Sequence, residues 1–198
     1  MIRRVVVALL VPVPWHPPGV DAKAWRAALA EDVVDLIATM AELEPAIAAV
    51  AVDRALAESV AWPGMPIYDI ARPLVNEALA AAARDGFDQA AVVAGDAADV
   101  PGLTIGKLLR PLTSRPVAVA AAGPGGGLLG VAARLPAPPW LPAHDLDDGS
   151  VTLLRRDAPE PQDVVSTPAW RRLRGPADLA TLDPAVEGWD TTRALLGG

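Results

Sequence analysis

The sequence has no cysteine, and this absence excludes disulfide bonds, thiol nucleophiles and cysteine-ligated zinc or iron–sulfur centres. It also lacks an apolar run of the roughly 18 to 20 residues that span a bilayer, because charges interrupt its longer Ala and Val stretches. The apolar run 5–11 is short and leads into prolines rather than a small-residue cleavage site, which indicates a strand and not a signal peptide. We therefore expect a cytoplasmic protein with no membrane partner.

Positive charge is scarce in this chain. Its 17 Lys and Arg residues stand against 24 Asp and Glu residues, giving a formal net charge of −7. A negative overall field repels nucleic-acid phosphates and anionic lipid. We expect no nucleic acid among its partners.

The length and composition indicate one domain. At 198 residues with 52% hydrophobic residues, the chain is long enough to bury a substantial core without cross-links. We expect a single domain over 1–198, with its core at about 3–135. The remainder, 136–198, is rich in Pro, Asp and Gly and is expected to be coil-rich, with ordered coil at 136–148 and 157–168.

Short apolar runs alternate with amphipathic segments along the first two thirds of the chain. This alternation predicts right-handed βαβ crossovers, a Rossmann-like α/β fold and a mostly parallel sheet with helices on both faces. The predicted strands are 5–11, 46–52, 90–94, 116–122 and 128–133. The predicted helices are about 21–40, 69–84, 101–112, 176–182 and 188–196.

Two acidic residues follow the third predicted strand. Ligands of open α/β sheets bind outside the carboxyl ends of the strands, so this loop is a natural place for a site. Asp96 and Asp99 are three residues apart, which lets two carboxylates converge on a hard cation such as one that holds a nucleotide diphosphate. The alternative is that Asp99 caps the following helix and Asp96 stabilises the turn.

A glycine-rich segment joins the fourth and fifth predicted strands. Residues 123–127 could let the backbone approach a phosphate or sugar closely. They could equally form a tight hairpin turn, and the absence of a lysine-containing phosphate loop favours the turn.

An arginine cluster is the strongest local charge feature of this acidic chain. Arg171, Arg172 and Arg174 could bind phosphates through forked hydrogen bonds, or they could form a solvated face that pairs with nearby acids. The two histidines, His16 and His144, stand near prolines and are predicted to be polar surface residues.

Four short segments match a known series of motifs in the same order. Residues 11–14 (V-P-V-P) are similar to A-P-x-P after a first strand, and 94–100 (A-G-D-A-A-D-V) to G-T-D-x-P-D-L after a third. Residues 125–132 are similar to D-G-G-Y-Y-L-I-G-L, and 172–179 to D-V-D-T-P-E-D-L. The chain thereby resembles the MobA-like branch of the nucleotide-diphospho-sugar transferase superfamily, especially the bacterial glycosyltransferases described as selenodomain-associated, with degenerate motifs.

The resemblance implies a GT-A fold, a three-layer sandwich, and a transferase that acts on a nucleotide-sugar or nucleoside triphosphate. It implies Mg²⁺ or Mn²⁺ as the cofactor. By position in the motifs, the implied nucleotide-binding residues are Pro12, Val13, Pro14 and Asp96, the acceptor-binding residues are Gly125, Gly126 and Gly127, and the metal ligands are Asp96 and Asp99.

The departures from the motifs concern charge. The loop after the first strand lacks the basic residues that would neutralise nucleotide phosphates, and only Lys23 and Arg26 stand near it. Gly125 replaces an acid, and Arg172 and Arg174 stand where acids would assist the metal.

Three hypotheses follow from these departures. The chain is a metal-dependent transferase, a catalytically inactive binding or scaffold subunit, or a metal-independent variant in which Arg172 and Arg174 act as phosphate clamps. Trp140, Trp170 and Trp189 suit a homodimer interface as well as a core.

Overall fold

Runs of small and β-branched residues form a seven-stranded sheet in the computed structural model, which describes residues 2–197. The strands are β1 (Arg4–Leu9), β2 (Glu44–Ala49), β3 (Ile67–Asp69), β4 (Gln89–Ala94), β5 (Val117–Ala121), β6 (Leu128–Arg134) and β7 (Val164–Thr167). The helices are α1 (Ala22–Thr39), α2 (Arg54–Val60), α3 (Val75–Arg84), α4 (Gly102–Leu109), α5 (Val151–Arg156), α6 (Pro176–Leu179) and α7 (Asp190–Leu195).

The strand order is β3-β2-β1-β4-β6-β5-β7. Strands β1 to β4 pair in parallel, whereas β6 runs antiparallel to both β4 and β5. The short connection 122–127 cannot hold a crossover helix, so β5 and β6 form a hairpin. The turn interpretation of 123–127 is therefore confirmed.

The sheet is covered on both faces, as the sequence predicted. Alternate residues of β1 point to opposite sides: Val5, Val7 and Leu9 pack with α3, while Val6 and Ala8 pack with α1 and α4. Every residue of β4 is buried, as expected for a central strand. The mostly parallel α/β sandwich is thus confirmed.

Two short edge strands were not predicted. The segment β3 pairs with β2, so α3 begins at Val75 rather than near 69. Leu74 is extended just before it, and the preceding Pro73 lies outside the helix. The expectation of coil throughout 157–168 is wrong, because β7 adds to the outer edge of β5. Within residues 2–197, no helix is long and apolar enough to cross a membrane.

Candidate functional site at the carboxyl edge of the sheet

The chain leaves β1 toward β2 on one side, and returns as β4 on the other. This switch point is where open α/β sheets hold ligands. Gly95 follows β4 and donates its N–H to the Leu9 carbonyl at 2.9 Å. A Cβ at this glycine would lie 2.9 Å from the same oxygen, so only glycine allows the approach. The close contact places Asp96 directly at the switch point.

Asp96 is wholly buried and forms a bidentate ion pair with Arg172. The Nε of Arg172 donates to Oδ1 of Asp96 at 2.6 Å, and its Nη2 donates to Oδ2 at 2.9 Å. Neither side chain is exposed to solvent. The guanidinium therefore satisfies both carboxylate oxygens and balances a charge that would be costly to bury alone.

The remaining guanidinium nitrogen of Arg172 lies close to three further oxygen atoms. Its Nη1 lies 2.8 Å from Oδ1 of Asp147, 3.2 Å from the Leu146 carbonyl and 3.4 Å from the Leu128 carbonyl. Burial alone would lower the pKa of Arg172, but the attraction of Asp96 and Asp147 outweighs it and raises the pKa. Arg172 is thus a permanent internal cation with at least one oxygen partner on each of its three guanidinium nitrogens.

Asp99 has a different arginine as its partner. Its Oδ2 pairs with Arg171, and its Oδ1 accepts a 3.3 Å hydrogen bond from the indole N–H of Trp170. The Arg171 guanidinium also stacks over the Trp170 ring, 4.7 Å from its centroid. The residue before α4 is Pro101, so Asp99 does not cap that helix. The capping interpretation of Asp99 is wrong.

The glycine turn is held by the third arginine of the cluster. Arg174 donates to the Gly126 carbonyl at 2.6 Å. Gly126 and Gly127 have φ of 75° and 77°, and a Cβ on Gly127 would lie 2.7 Å from the Leu146 carbonyl. Gly125 approaches Arg174 from the same turn. The alternative of a solvated face that pairs with acids is thus right about the pairing, since Arg171 and Arg172 both pair with carboxylates, but wrong about the solvation of Arg172, which is buried.

A cavity of about 660 Å³ opens beside this network, at the carboxyl ends of β5 and β7. One wall is the glycine turn, and the other carries the Trp170 ring and the Arg171 guanidinium, whose side chain is 20% exposed. The lining residues are Gly123, Pro124, Gly125, Ala169, Trp170, Arg171, Ala177, Asp178 and Thr181. This combination offers an aromatic face, an arginine and accessible backbone to a small polar molecule.

The loop after β1 lies apart from that cavity. Pro12 and Pro14 are exposed, whereas Val13 packs at the margin of a small apolar cluster. The centre of the cluster joins the start of α1 to the C-terminal part of the chain through Trp25, Leu29, Ala98, Leu173 and Trp189. The C-terminal segment thus covers the inner side of the predicted nucleotide loop.

Arg26 ties the ends of β1 and β2 together. It pairs bidentately with Asp53 at 2.6 and 2.7 Å and also donates to the Val11 carbonyl at 3.0 Å. Arg26, one of the two basic residues near the predicted nucleotide loop, is therefore already paired with an acid, and its side chain is 26% exposed.

Several of these contacts were not predicted from sequence. Asp147 was not singled out as a site residue, Trp170 was considered only for a core or an interface, and His144 was predicted at the surface but is buried. Its Nδ1 donates to the Pro142 carbonyl at 2.7 Å, and burial lowers its pKa. Among residues 2–197 there is no cluster of three or more acidic or histidine side chains placed to hold a metal ion.

Comparisons with known proteins show similarity at the level of structure. No protein-family model and no curated protein sequence matches the chain. A protein assigned as a nucleotide-diphospho-sugar transferase from Desulfovibrio desulfuricans G20 superposes over 100% of this chain and 95% of its own, with a TM-score of 0.67 and 19% identity. Rv0371c from Mycobacterium tuberculosis H37Rv covers 100% of both chains, with a TM-score of 0.57 and 17% identity.

Glucosyl-3-phosphoglycerate synthase from Mycobacterium tuberculosis, solved with Mn²⁺, UDP and phosphoglyceric acid, matches 98% of this chain and 77% of its own. Its TM-score is 0.55 at 15% identity. At such identities the likeness shows the fold: this chain has the Rossmann-like α/β fold of the nucleotide-diphospho-sugar transferases. The finer placement in the MobA-like branch stays a prediction.

Proposed function

We propose that the chain is a divergent nucleotidyl- or glycosyltransferase-like protein that binds a nucleotide or nucleotide-sugar at the carboxyl ends of its strands. The observation that carries the proposal is the 660 Å³ cavity between the glycine turn and the Trp170–Arg171 pair. Bases and sugar rings favour aromatic faces, and a guanidinium matches phosphate oxygens in pairs. Similar structures hold such ligands, namely UDP in glucosyl-3-phosphoglycerate synthase and CTP in CMP-2-keto-3-deoxy-manno-octonic acid synthetase.

The divalent cation implied by the resemblance does not fit the residues present. Both oxygens of Asp96 are taken by Arg172, and Asp99 is held by Arg171 and Trp170. A cation at this place would have to displace two guanidinium groups. We therefore propose that ligand binding here requires neither Mg²⁺ nor Mn²⁺.

The phosphate-contacting arginine of this cavity is then Arg171 rather than the predicted Arg172 and Arg174, since Arg174 lies outside the cavity lining and holds the Gly126 carbonyl. Arg172 is wholly buried and has no surface for a ligand, whereas Arg171 keeps 20% of its side chain exposed. Gly125 would contribute backbone to the same ligand, since it lines the opposite wall, whereas the predicted acceptor residues Gly126 and Gly127 lie outside the cavity lining.

A catalytically silent binding or scaffold subunit is the second candidate. Two observations favour it: the internal neutralisation of Asp96, and the packing of Leu173 and Trp189 beneath the loop that carries Val13. Both remove groups that a transferase of this fold would use on its substrate.

Calorimetric titration tests the proposal with UDP, GDP, ADP, CDP and UDP-glucose, each with and without Mn²⁺. Ala177→Trp should fill the cavity and abolish binding, while Ala180→Trp, exposed nearby and outside the cavity lining, should leave binding unchanged. Arg171→Ala should weaken binding at least about tenfold, through loss of a charged hydrogen-bonding partner, and exposed Arg110→Ala should not.

The outcomes separate the hypotheses. Absence of binding by every ligand in both conditions would overturn the proposal. Binding that requires Mn²⁺ and is lost in Asp96→Asn would restore the metal site. Binding without release of UDP from bound UDP-glucose, in the presence of candidate acceptors, would favour the silent subunit.

A further inference from the structure

The surroundings of Arg172 have the composition of a metal site. Its guanidinium contacts five oxygen atoms: two from Asp96, one from Asp147 and the carbonyls of Leu146 and Leu128. Carboxylate and carbonyl oxygens in this number are what hard divalent cations take as ligands. Here a single positive group supplied by the chain occupies the centre.

From this arrangement we infer that Arg172 is a built-in replacement for a divalent cation, so that the Asp96 site is a cation site closed by the protein itself. The guanidinium is covalently attached and keeps its charge at any ordinary pH. It brings the C-terminal segment to the switch point, where the Leu173 N–H also donates to the Asp96 carbonyl at 2.9 Å. The Arg172 guanidinium thus holds the C-terminal segment against the sheet, whereas a metal ion at this place would hold a substrate.

Removal of the Arg172 guanidinium should open this site to a metal ion. Shortening Arg172 to alanine leaves the five oxygens facing the volume that the guanidinium occupied, with the two carboxylates uncompensated. Mn²⁺ or Ca²⁺ added to the solution should then enter and restore stability. Because the native chain has its own cation there, the same metals should not stabilise it.

The experiment is a titration of Mn²⁺ against thermal unfolding, with free Mn²⁺ followed by electron paramagnetic resonance. Arg172→Ala should bind one Mn²⁺ per chain. Its Tm should rise by about 5 to 10 °C when the metal is about 100-fold above its dissociation constant. The gain should disappear in the double variant Asp96→Asn/Arg172→Ala. The matched control Arg171→Ala keeps the Asp96–Arg172 pair and should gain nothing.

If Arg172→Ala does not fold without metal, its refolding from urea with and without Mn²⁺ replaces the thermal titration, and recovery of native near-ultraviolet dichroism with Mn²⁺ alone supports the inference. No rescue in either format would overturn it. Mn²⁺ binding to the native chain that is lost in Asp96→Asn would also overturn it. The probe is metal alone, so failure here would leave nucleotide binding in the neighbouring cavity undecided.

Discussion

Replacement of Asp96 by asparagine removes the negative partner of Arg172 with almost no change in shape. Loss of one member of a buried ion pair typically costs about 3 to 5 kcal/mol, because the other charge stays buried without compensation. Asp147 remains 2.8 Å from Arg172 and is 47% exposed, so part of the compensation persists. We therefore expect the lower end, a loss of about 3 kcal/mol. In a chain of this length that corresponds to a fall in Tm of about 6 to 12 °C.

Urea unfolding followed by circular dichroism, with linear extrapolation to water, measures this loss. Asp53→Asn is the matched control, since Asp53 is also held bidentately by an arginine, Arg26, but that pair is 11% and 26% exposed. Because this pair is less completely buried than the Asp96–Arg172 pair, the control's loss should be smaller, about 1.5 to 2 kcal/mol. A loss in Asp96→Asn no larger than that in Asp53→Asn would refute the idea that Asp96 and Arg172 form the principal ionic support of the carboxyl edge.

Three further predictions concern separate parts of the fold. Burial lowers the pKa of His144 below its unfolded value near 6.5, so the unfolded state binds more protons and stability should fall as pH drops below about 6.5; His144→Gln should flatten this slope in urea titrations. Gly127→Ala should cost about 1 to 3 kcal/mol in the same assay, since φ is 77° and the added Cβ meets the Leu146 carbonyl. Asp32 accepts hydrogen bonds from the Thr191 and Thr192 N–H groups in the first turn of α7. Asp32→Asn should therefore lower the stability of α7 by about 1 kcal/mol, which faster proteolysis of the C-terminus would detect.

The central strands were predictable because their apolar sequences match the buried positions that they occupy in the sheet. β1 and β4 are continuous apolar runs, and burial on both faces requires such runs. β3 and β7 have three and four residues, and prolines stand close to both. Edge strands of that length bury little apolar surface and are too short to show a clear alternation of apolar and polar residues. Their structure therefore depends on pairing with a neighbouring strand.

The site was predictable only in part. The position of Asp96 and Asp99 after a strand pointed to the correct edge of the sheet, because all parallel strands deliver their carboxyl ends there. The arginine partner of each acid could not be predicted from the sequence. Asp96 and Arg172, for example, are 76 positions apart, and no local sequence pattern links them. His144 was predicted at the surface because prolines flank it in the sequence. It is buried because its loop forms hydrogen bonds with α3.

The position of the ion pair also bears on how the cavity forms. Arg172 stands between Trp170–Arg171, which form one wall of the cavity, and Arg174, which holds the glycine turn of the other. Both walls therefore depend on a segment that the Asp96–Arg172 pair anchors in the protein interior. If that anchor is released, the wall residues lose their fixed spacing before the sheet itself is affected, because β1 and β4 pair independently of the C-terminal segment. We therefore expect Asp96→Asn to weaken the proposed ligand binding through the geometry of the cavity, although neither side chain of the pair reaches the cavity surface.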